Sequence, residues 1–203
     1  MLRIDLNVPF HEKDAAKRLG ARWDADRKTW FAPDGADLVA FQRWLPKPPH
    51  VNVRSSMYWI ATSSRQCWKC ARVTDVFAFA LPEDHHVLEF REDLPPEHAQ
   101  VWERGEMCVL PYYIEYLAEV VQARIREITP HYRLDFSQTT ASSYWMNHCA
   151  FCGIKQGDYE LFCEPGSAFM PMTPKDAGEV RTARIFEPFE ACAGEFSCEP
   201  EFL

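Results

Sequence analysis

Two Cys-x-x-Cys pairs, roughly 80 residues apart, constrain this chain more than any other feature: Cys67-Trp68-Lys69-Cys70 and Cys149-Ala150-Phe151-Cys152. Two residues between cysteines let the backbone fold round so that both sulfurs face one ion. Backbone N–H groups in the turn then donate to the thiolates and relieve their charge. Four thiolates complete the tetrahedral shell of a structural zinc site. A shared ion would pin distant parts of the chain together. A redox dithiol needs its pair at a helix start in a thioredoxin-like setting, which neither flank suggests. An iron–sulfur centre also fits four cysteines; zinc is the commoner structural choice for paired knuckles.

The chain holds eight cysteines in 203 residues. The start, Met1-Leu2-Arg3-Ile4-Asp5-Leu6, lacks the basic and apolar regions of a signal peptide, and no stretch is apolar for the length of a bilayer. The expected location is the cytosol, away from membranes, where thiols stay reduced and paired cysteines point to metal rather than disulfides. Cys108, Cys163, Cys192 and Cys198 follow no ligand spacing. Cys108 and Cys163 have apolar neighbours and read as buried small hydrophobes.

The two pairs come with matching flanks. Ser55-Ser56, Tyr58-Trp59 and Asp75 surround the first, with the apolar run Phe77–Leu81 after it; Ser142-Ser143, Tyr144-Trp145 and Asp158 surround the second, with Tyr159–Phe162 after it. This pattern suggests a duplicated strand–knuckle–strand unit. Gly153, directly after Cys152, suits a left-handed turn; Ala71 holds that place in the first copy and suits it less. His148 adjoins Cys149, which makes joint ligation awkward and favours a supporting or surface role. His85 and His86 point opposite ways on a strand and read as ordinary loop or strand residues.

Residues 3–45 read as a separate small domain. Arg3–Val8 alternates as a strand, Glu12–Leu19 has helical composition with Gly20 at its C-cap, and Ala21–Pro33 reads as a hairpin with aromatic ends. Ala36–Trp44 suggests a second helix with Leu38, Phe41, Trp44 and Leu45 on one face. The expected order is β-α-β-β-α. Pro46-Lys47-Pro48-Pro49 reads as a stiff linker. The expected boundaries are 1–46 for the small domain, 47–50 for the linker and 51–203 for a zinc-binding domain. The overall class is then α+β.

The run from Leu6 to Pro33, with Val8-Pro9-Phe10, Leu19-Gly20-Ala21-Arg22-Trp23-Asp24 and Lys28-Thr29-Trp30-Phe31, resembles a small bacterial domain of unknown function that is also appended to plasmid-type DNA primases. A more distant likeness is to the Trp-containing hairpin domain of annealing helicases. The resemblance covers about a fifth of the chain and implies a recognition module, without catalysis. Its candidate contacts are Arg22, Trp23, Arg27, Lys28 and Trp30, since cations interleaved with aromatics suit phosphates and stacked bases. Against this, Trp23 and Trp30 are natural core residues for so small a domain. The second half, through Asn147-His148-Cys149 to Gly157-Asp158, is similar to a family of uncharacterised bacterial proteins, which implies zinc binding and no activity.

Between the knuckles, His86–Phe90 and Tyr132–Phe136 read as strands, and Pro95-Pro96-Glu97 as the opening of a helical turn. Tyr112–Ile128 reads as one long helix lying on a sheet, its apolar stripe made by Ile114, Leu117, Val121, Ile125 and Ile128. Residues 187–203 have no strong period and read as a tail or a segment wrapped over the sheet.

No phosphate-binding glycine loop, nucleophile elbow or deaminase signature occurs, and four cysteines close a zinc shell to substrate. The expected function is non-enzymatic: a zinc-supported protein-interaction or regulatory module, or else an accessory protein that contacts DNA or RNA through the N-terminal hairpin. Charge divides these readings. Residues 1–50 carry nine Lys+Arg and seven Asp+Glu, net +2; the remainder carries thirteen against twenty-three, net −10. An acidic bulk is unsuited to phosphate, which favours a protein partner for the larger part.

Overall fold

The computed structural model describes residues 4–45, 50–95, 98–198, 200 and 202–203. The chain divides into two compact units, residues 1–48 and 49–203. The Pro-rich linker at 46–49 lies outside the described residues, as do Pro96 and Glu97 of the helical turn expected from Pro95-Pro96-Glu97.

In the first unit, strands β1 (Ile4–Leu6), β2 (Arg22–Asp24) and β3 (Thr29–Ala32) form an antiparallel sheet with β3 central. A 3₁₀ turn (Phe10–Glu12) runs into the short helix α1 (Lys13–Arg18), which ends at Gly20 with φ +98°. The expected second α-helix is instead a 3₁₀ helix, Leu38–Trp44. Its Asp37 cap accepts from the Val39 N–H, and it drives Phe41 and Trp44 into the core beside Leu6, Ala16, Ala21 and Ala32. Trp44 is the buried tryptophan of this unit, and its indole N–H donates to Glu12.

The second unit is mostly β, which overturns the expected α+β class and its long helix on a sheet. Its strands are β4 (Val53–Ser55), β5 (Tyr58–Gln66), β6 (Val73–Ala80), β7 (His86–Phe90), β8 (Gln100–Arg104), β9 (Val109–Leu117), β10 (Tyr132–Ser137), β11 (Ser142–His148), β12 (Lys155–Gln156), β13 (Arg181–Ile185) and β14 (Phe189–Cys198). A three-stranded antiparallel sheet runs β13-β5-β6. An eight-stranded one runs β10-β11-β9-β14-β4-β7-β8, with β12 added along β11. Strand β6 is buried on both faces: Phe77 and Phe79 join the main core, Val76, Ala78 and Ala80 a second cluster with Leu161, Phe162 and Phe169.

The span expected to be one helix is a strand followed by a shorter helix, α2 (Glu119–Ile128). The misleading signal was Ile114 and Leu117, both buried and three apart as on a helix face. A β-bulge produces that spacing. Cys192 pairs with Tyr116 and Ala193 with Ile114, so Glu115 is an extra residue in β9 and re-aims the chain. Tyr113, at φ +50°, adds to the irregularity. On α2, Val121 and Ile125 are buried, but Ile128 is nearly half exposed.

The C-terminal segment is also corrected. Strand β14 is an interior strand, paired with β9 on one side and β4 on the other. Phe189, Ala191 and Ala193 alternate inward, but alanines are too weakly hydrophobic to make the period visible. No helix among the described residues is long and apolar enough to cross a membrane.

Candidate metal centre

The two knuckles are built alike. In the first, the Cys67 N–H donates to Arg72 O and the Ala71 N–H to Cys67 O, each at 2.9 Å; in the second, Cys149 N–H donates to Ile154 O and Gly153 N–H to Cys149 O, also at 2.9 Å. Residue for residue, these are the same pair of bonds. Each turn closes through a left-handed residue after its second cysteine, Gly153 at φ +70° and Ala71 at φ +59°. Glycine adopts that conformation freely, whereas alanine pays a steric penalty for its Cβ.

The duplication ends at the return strands. The first knuckle returns along the eight-residue β6, the second along the two-residue β12. The apolar run expected as the second copy's strand is the helix α3 (Asp158–Phe162). Asp75 is exposed on β6, while its counterpart Asp158 is buried at the start of α3.

The fold brings the four sulfurs of Cys67, Cys70, Cys149 and Cys152 within 4.8 Å of one another. Cys67 Sγ lies 3.8 Å from Cys152 Sγ, and Cys70 Sγ lies 3.7 Å from Cys149 Sγ. A zinc ion bound at about 2.3 Å by four sulfurs spaces them about 3.8 Å apart, so the donor set fits that ion. Cys67 and Cys149 are buried, Cys70 is half-buried and Cys152 exposed.

The electrostatics of the cluster call for a cation. Burial pushes the Cys67 thiol up, but the N–H groups of Cys70 and Lys69 and the thiols of Cys149 and Cys70 outweigh it, bringing it down to about 6. Cys149 is lowered similarly: burial opposes it, and the N–H groups of Cys152 and Phe151 prevail. At Cys152 the Ile154 N–H favours the thiolate, but burial and the neighbouring sulfurs of Cys149, Cys70 and Cys67 push it up to about 11. Thiols so close cannot all ionise unless a metal ion supplies the counter-charge.

A surrounding polar frame ties the knuckles together. The Gln156 amide donates to Cys67 Sγ (3.5 Å), the Ala150 N–H to Thr74 Oγ1 (3.0 Å), and the Trp68 indole to Lys155 O (2.9 Å). Asn147 is buried and completes the edge of β6: its Oδ1 accepts from the Phe77 N–H at 2.8 Å and its Nδ2 donates to Phe77 O at 2.9 Å. These supporting roles were not apparent in the sequence; for Asn147 and Gln156 the one hint was their place in the run from Asn147 to Asp158. His148 is not in the sulfur cluster. It is buried with Nε2 3.0 Å from Asp135 Oδ2, and Lys155 Nζ lies 3.0 Å from Asp135 Oδ1. Hydrogen bonds from His148, then Lys155, hold the Asp135 carboxyl down at about 2.

His85 is buried, 2.8 Å from Pro82 O, and His86 lies in β7. Cys108 and Cys163 are half-buried rather than buried, and the Cys163 thiol donates to the Tyr112 hydroxyl at 3.5 Å.

The candidate contacts of the first unit separate. Trp23 and Trp30 are cross-strand partners with ring centres 5.5 Å apart. Trp23 is 50% exposed and stands outside the core, whereas Trp30 is half-buried and packs against the core cluster, as the small size of the domain suggested. They line a cleft of about 360 Å³ with Lys28, Thr29 and Leu6. By strand alternation Arg22 projects from the opposite face, and Arg27 lies at the turn, 3.7 Å from Asp5. Lys28 is the cation that joins the two tryptophans.

Residues 3–46 match a family described as a domain of unknown function, DUF5710; the match does not extend into the cysteine-bearing unit. Two DNA primases TraC of Escherichia coli are similar to segments of the chain. One is 51% identical over 39 residues, 19% of this chain and 3% of the primase; the other is 52% identical over 42 residues, 21% and 4%. The chain thus spans a small fraction of the length of the curated relatives it matches. No solved structure matches it. The chain therefore carries at its N-terminus a DUF5710 domain, similar to a segment of DNA primase TraC.

Proposed function

We propose that Cys67, Cys70, Cys149 and Cys152 hold one zinc ion as a closed structural site, and that the protein is a non-enzymatic interaction or regulatory module built around it. The observation that carries this reading is the sulfur cluster: four sulfurs within 4.8 Å, delivered by two turns with the same hydrogen bonds. With four sulfur donors the ion has no open position for substrate, so its contribution is to stability. The acidic bulk of the larger part, net −10 over residues 51–203, favours a protein partner with a basic face. Metal analysis of purified protein should return about one zinc per chain. Cys67→Ser should abolish stoichiometric zinc and lower the melting temperature by roughly 10 °C, because ion binding is coupled to folding. Cys108→Ser, outside the cluster, should retain the ion. A metal-free, fully folded protein would reject the zinc site.

A second reading is favoured by the half-exposed Trp23 and by the likeness to a primase segment. In it, Trp23, Lys28 and Trp30 contact nucleic acid, the rings stacking on bases and the cation on a phosphate. Trp23→Ala combined with Lys28→Ala should then weaken binding of labelled DNA or RNA at least about fivefold in a low-salt titration. Indistinguishable titrations of variant and wild type would remove the hairpin from consideration.

A further inference from the structure

The two knuckles carry outward residues unlike those of the rest of the unit that bears them. Trp68 and Phe151 are the aromatic inner residues of the two Cys-x-x-Cys turns, one in each, and they are 60% and 48% exposed. Neither ring is left to move freely. Both are fixed from across the cluster. The Trp68 indole donates to Lys155 O beyond the second knuckle, and Arg72 from the first lays its guanidinium over the Phe151 ring at 3.5 Å. Beside Phe151 lies a cleft of about 310 Å³, lined by Val73, Asp75, Ile128, Pro130 and His131 among others.

Charge sets this surface apart. Residues 51–203 carry a net −10, yet residues 51–74 and 136–157 contain no Asp or Glu. The knuckles lie in those two stretches. Lys69 and Arg72 are exposed there, and neither has an ion-pair partner among the described residues. Of the acids that border the stretches, Asp135 is engaged with His148 and Lys155, Asp75 with Ser64 and, at 4.0 Å, Arg181, and Asp158 is buried away from the surface.

We propose that this surface binds single-stranded nucleic acid. Trp68 and the Arg72–Phe151 stack offer flat faces for unpaired bases, and Lys69 and Arg72 offer charge to the phosphates between them. A duplex hides its base faces, so single strands are preferred. Repulsion from the acidic remainder confines the contact to the knuckles, and the contacts of Lys69 and Arg72 to phosphate make it salt-sensitive. The inference rests on the zinc reading, since the ion holds the two aromatic turns in register.

The test is fluorescence anisotropy of the full-length, zinc-loaded protein with labelled oligo-dT, oligo-U and a DNA duplex of equal length at about 50 mM salt, with zinc content measured for every sample. Wild type should bind both single strands more tightly than the duplex. Trp68→Ala and Phe151→Ala should each weaken single-strand binding about fivefold or more, the scale of one lost base stack. Lys69→Glu with Arg72→Glu should abolish binding or lower the dependence of log affinity on log salt by about 1.4, for two phosphates. This charge variant leaves the rings in place and serves if an aromatic variant loses its fold. Trp23→Ala with Lys28→Ala in the first unit should leave this binding intact. Zinc-loaded protein that binds no single strand overturns the inference while leaving the zinc site standing, and returns the surface to a protein partner. Binding lost only through the first-unit variant also overturns it. Protein without stoichiometric zinc overturns both.

Discussion

Asp158 sits 2% exposed with one oxygen accepting from the Tyr113 N–H at 2.8 Å and the other without a partner among the described residues. Tyr113, Tyr132 and Tyr144 are the titratable groups that feel its charge, and none of them is a cation. Burial pushes its carboxyl from the ordinary 3.8 up to about 7, against the smaller pull of the Tyr113 N–H. Between these values the folded state keeps a proton that the unfolded chain releases. Stability therefore falls as pH rises from about 4 to about 7, by roughly 4 kcal/mol in all, and the loss is complete above that. Asp158→Asn cannot titrate, so its melting temperature should gain on wild type as the pH goes from 5 to 8. A constant difference across that range would show that Asp158 is ionised throughout. The matched flanks placed this aspartate opposite Asp75 as a repeated feature, but a linear sequence holds no information on burial. The cysteines were legible because their chemistry depends on spacing along the chain. Asn147 was not, because its partner is the backbone of Phe77, whose side chain is immaterial to the bond.

At the level of elements, what could be read depended on whether a regular period ran through a segment. Strand β10 was visible as alternation, and the N-terminal hairpin by its aromatic ends. Strand β9 was misread because its bulge at Glu115 sets two inward residues three apart, the interval that ordinarily denotes a helix. Strand β14 was missed because its inward residues after Phe189 are alanines. The corrected boundary of α2 has a measurable consequence. Ile125→Ala empties a fully buried site and should cost about 2–5 kcal/mol in denaturant unfolding. Ile128→Ala, at a position 46% exposed, should stay within about 0.5 kcal/mol. Equal costs would restore the continuous stripe.

Across the larger unit, the sulfurs come from two turns whose flanking strands lie in both sheets: β5 and β6 in the three-stranded one, β11 and β12 in the eight-stranded one. Removal of the ion should therefore be a global event. With an excess of chelator and mild denaturant, zinc release and the loss of tryptophan fluorescence should proceed at the same rate. Release that runs well ahead of unfolding would make the site a peripheral attachment. The meeting of two sheets at one sulfur cluster was implicit in two distant cysteine pairs. Which strands would carry them was not, since strand order depends on contacts between residues up to 141 positions apart, such as Asn52 with Ala193.

The distance between the knuckles is also a delay. A ribosome making about 5–20 residues per second needs roughly 4–16 s to pass from the first pair to the second. For that interval Cys67 and Cys70 would be half of the proposed site, two thiols open to oxidants and to other metals. The fourth sulfur of the cluster appears only with Cys152, and β14, which joins β9 to β4, comes later still. Yield of correctly metallated protein should then depend on how reducing the compartment is during synthesis, more than on how stable the finished fold becomes.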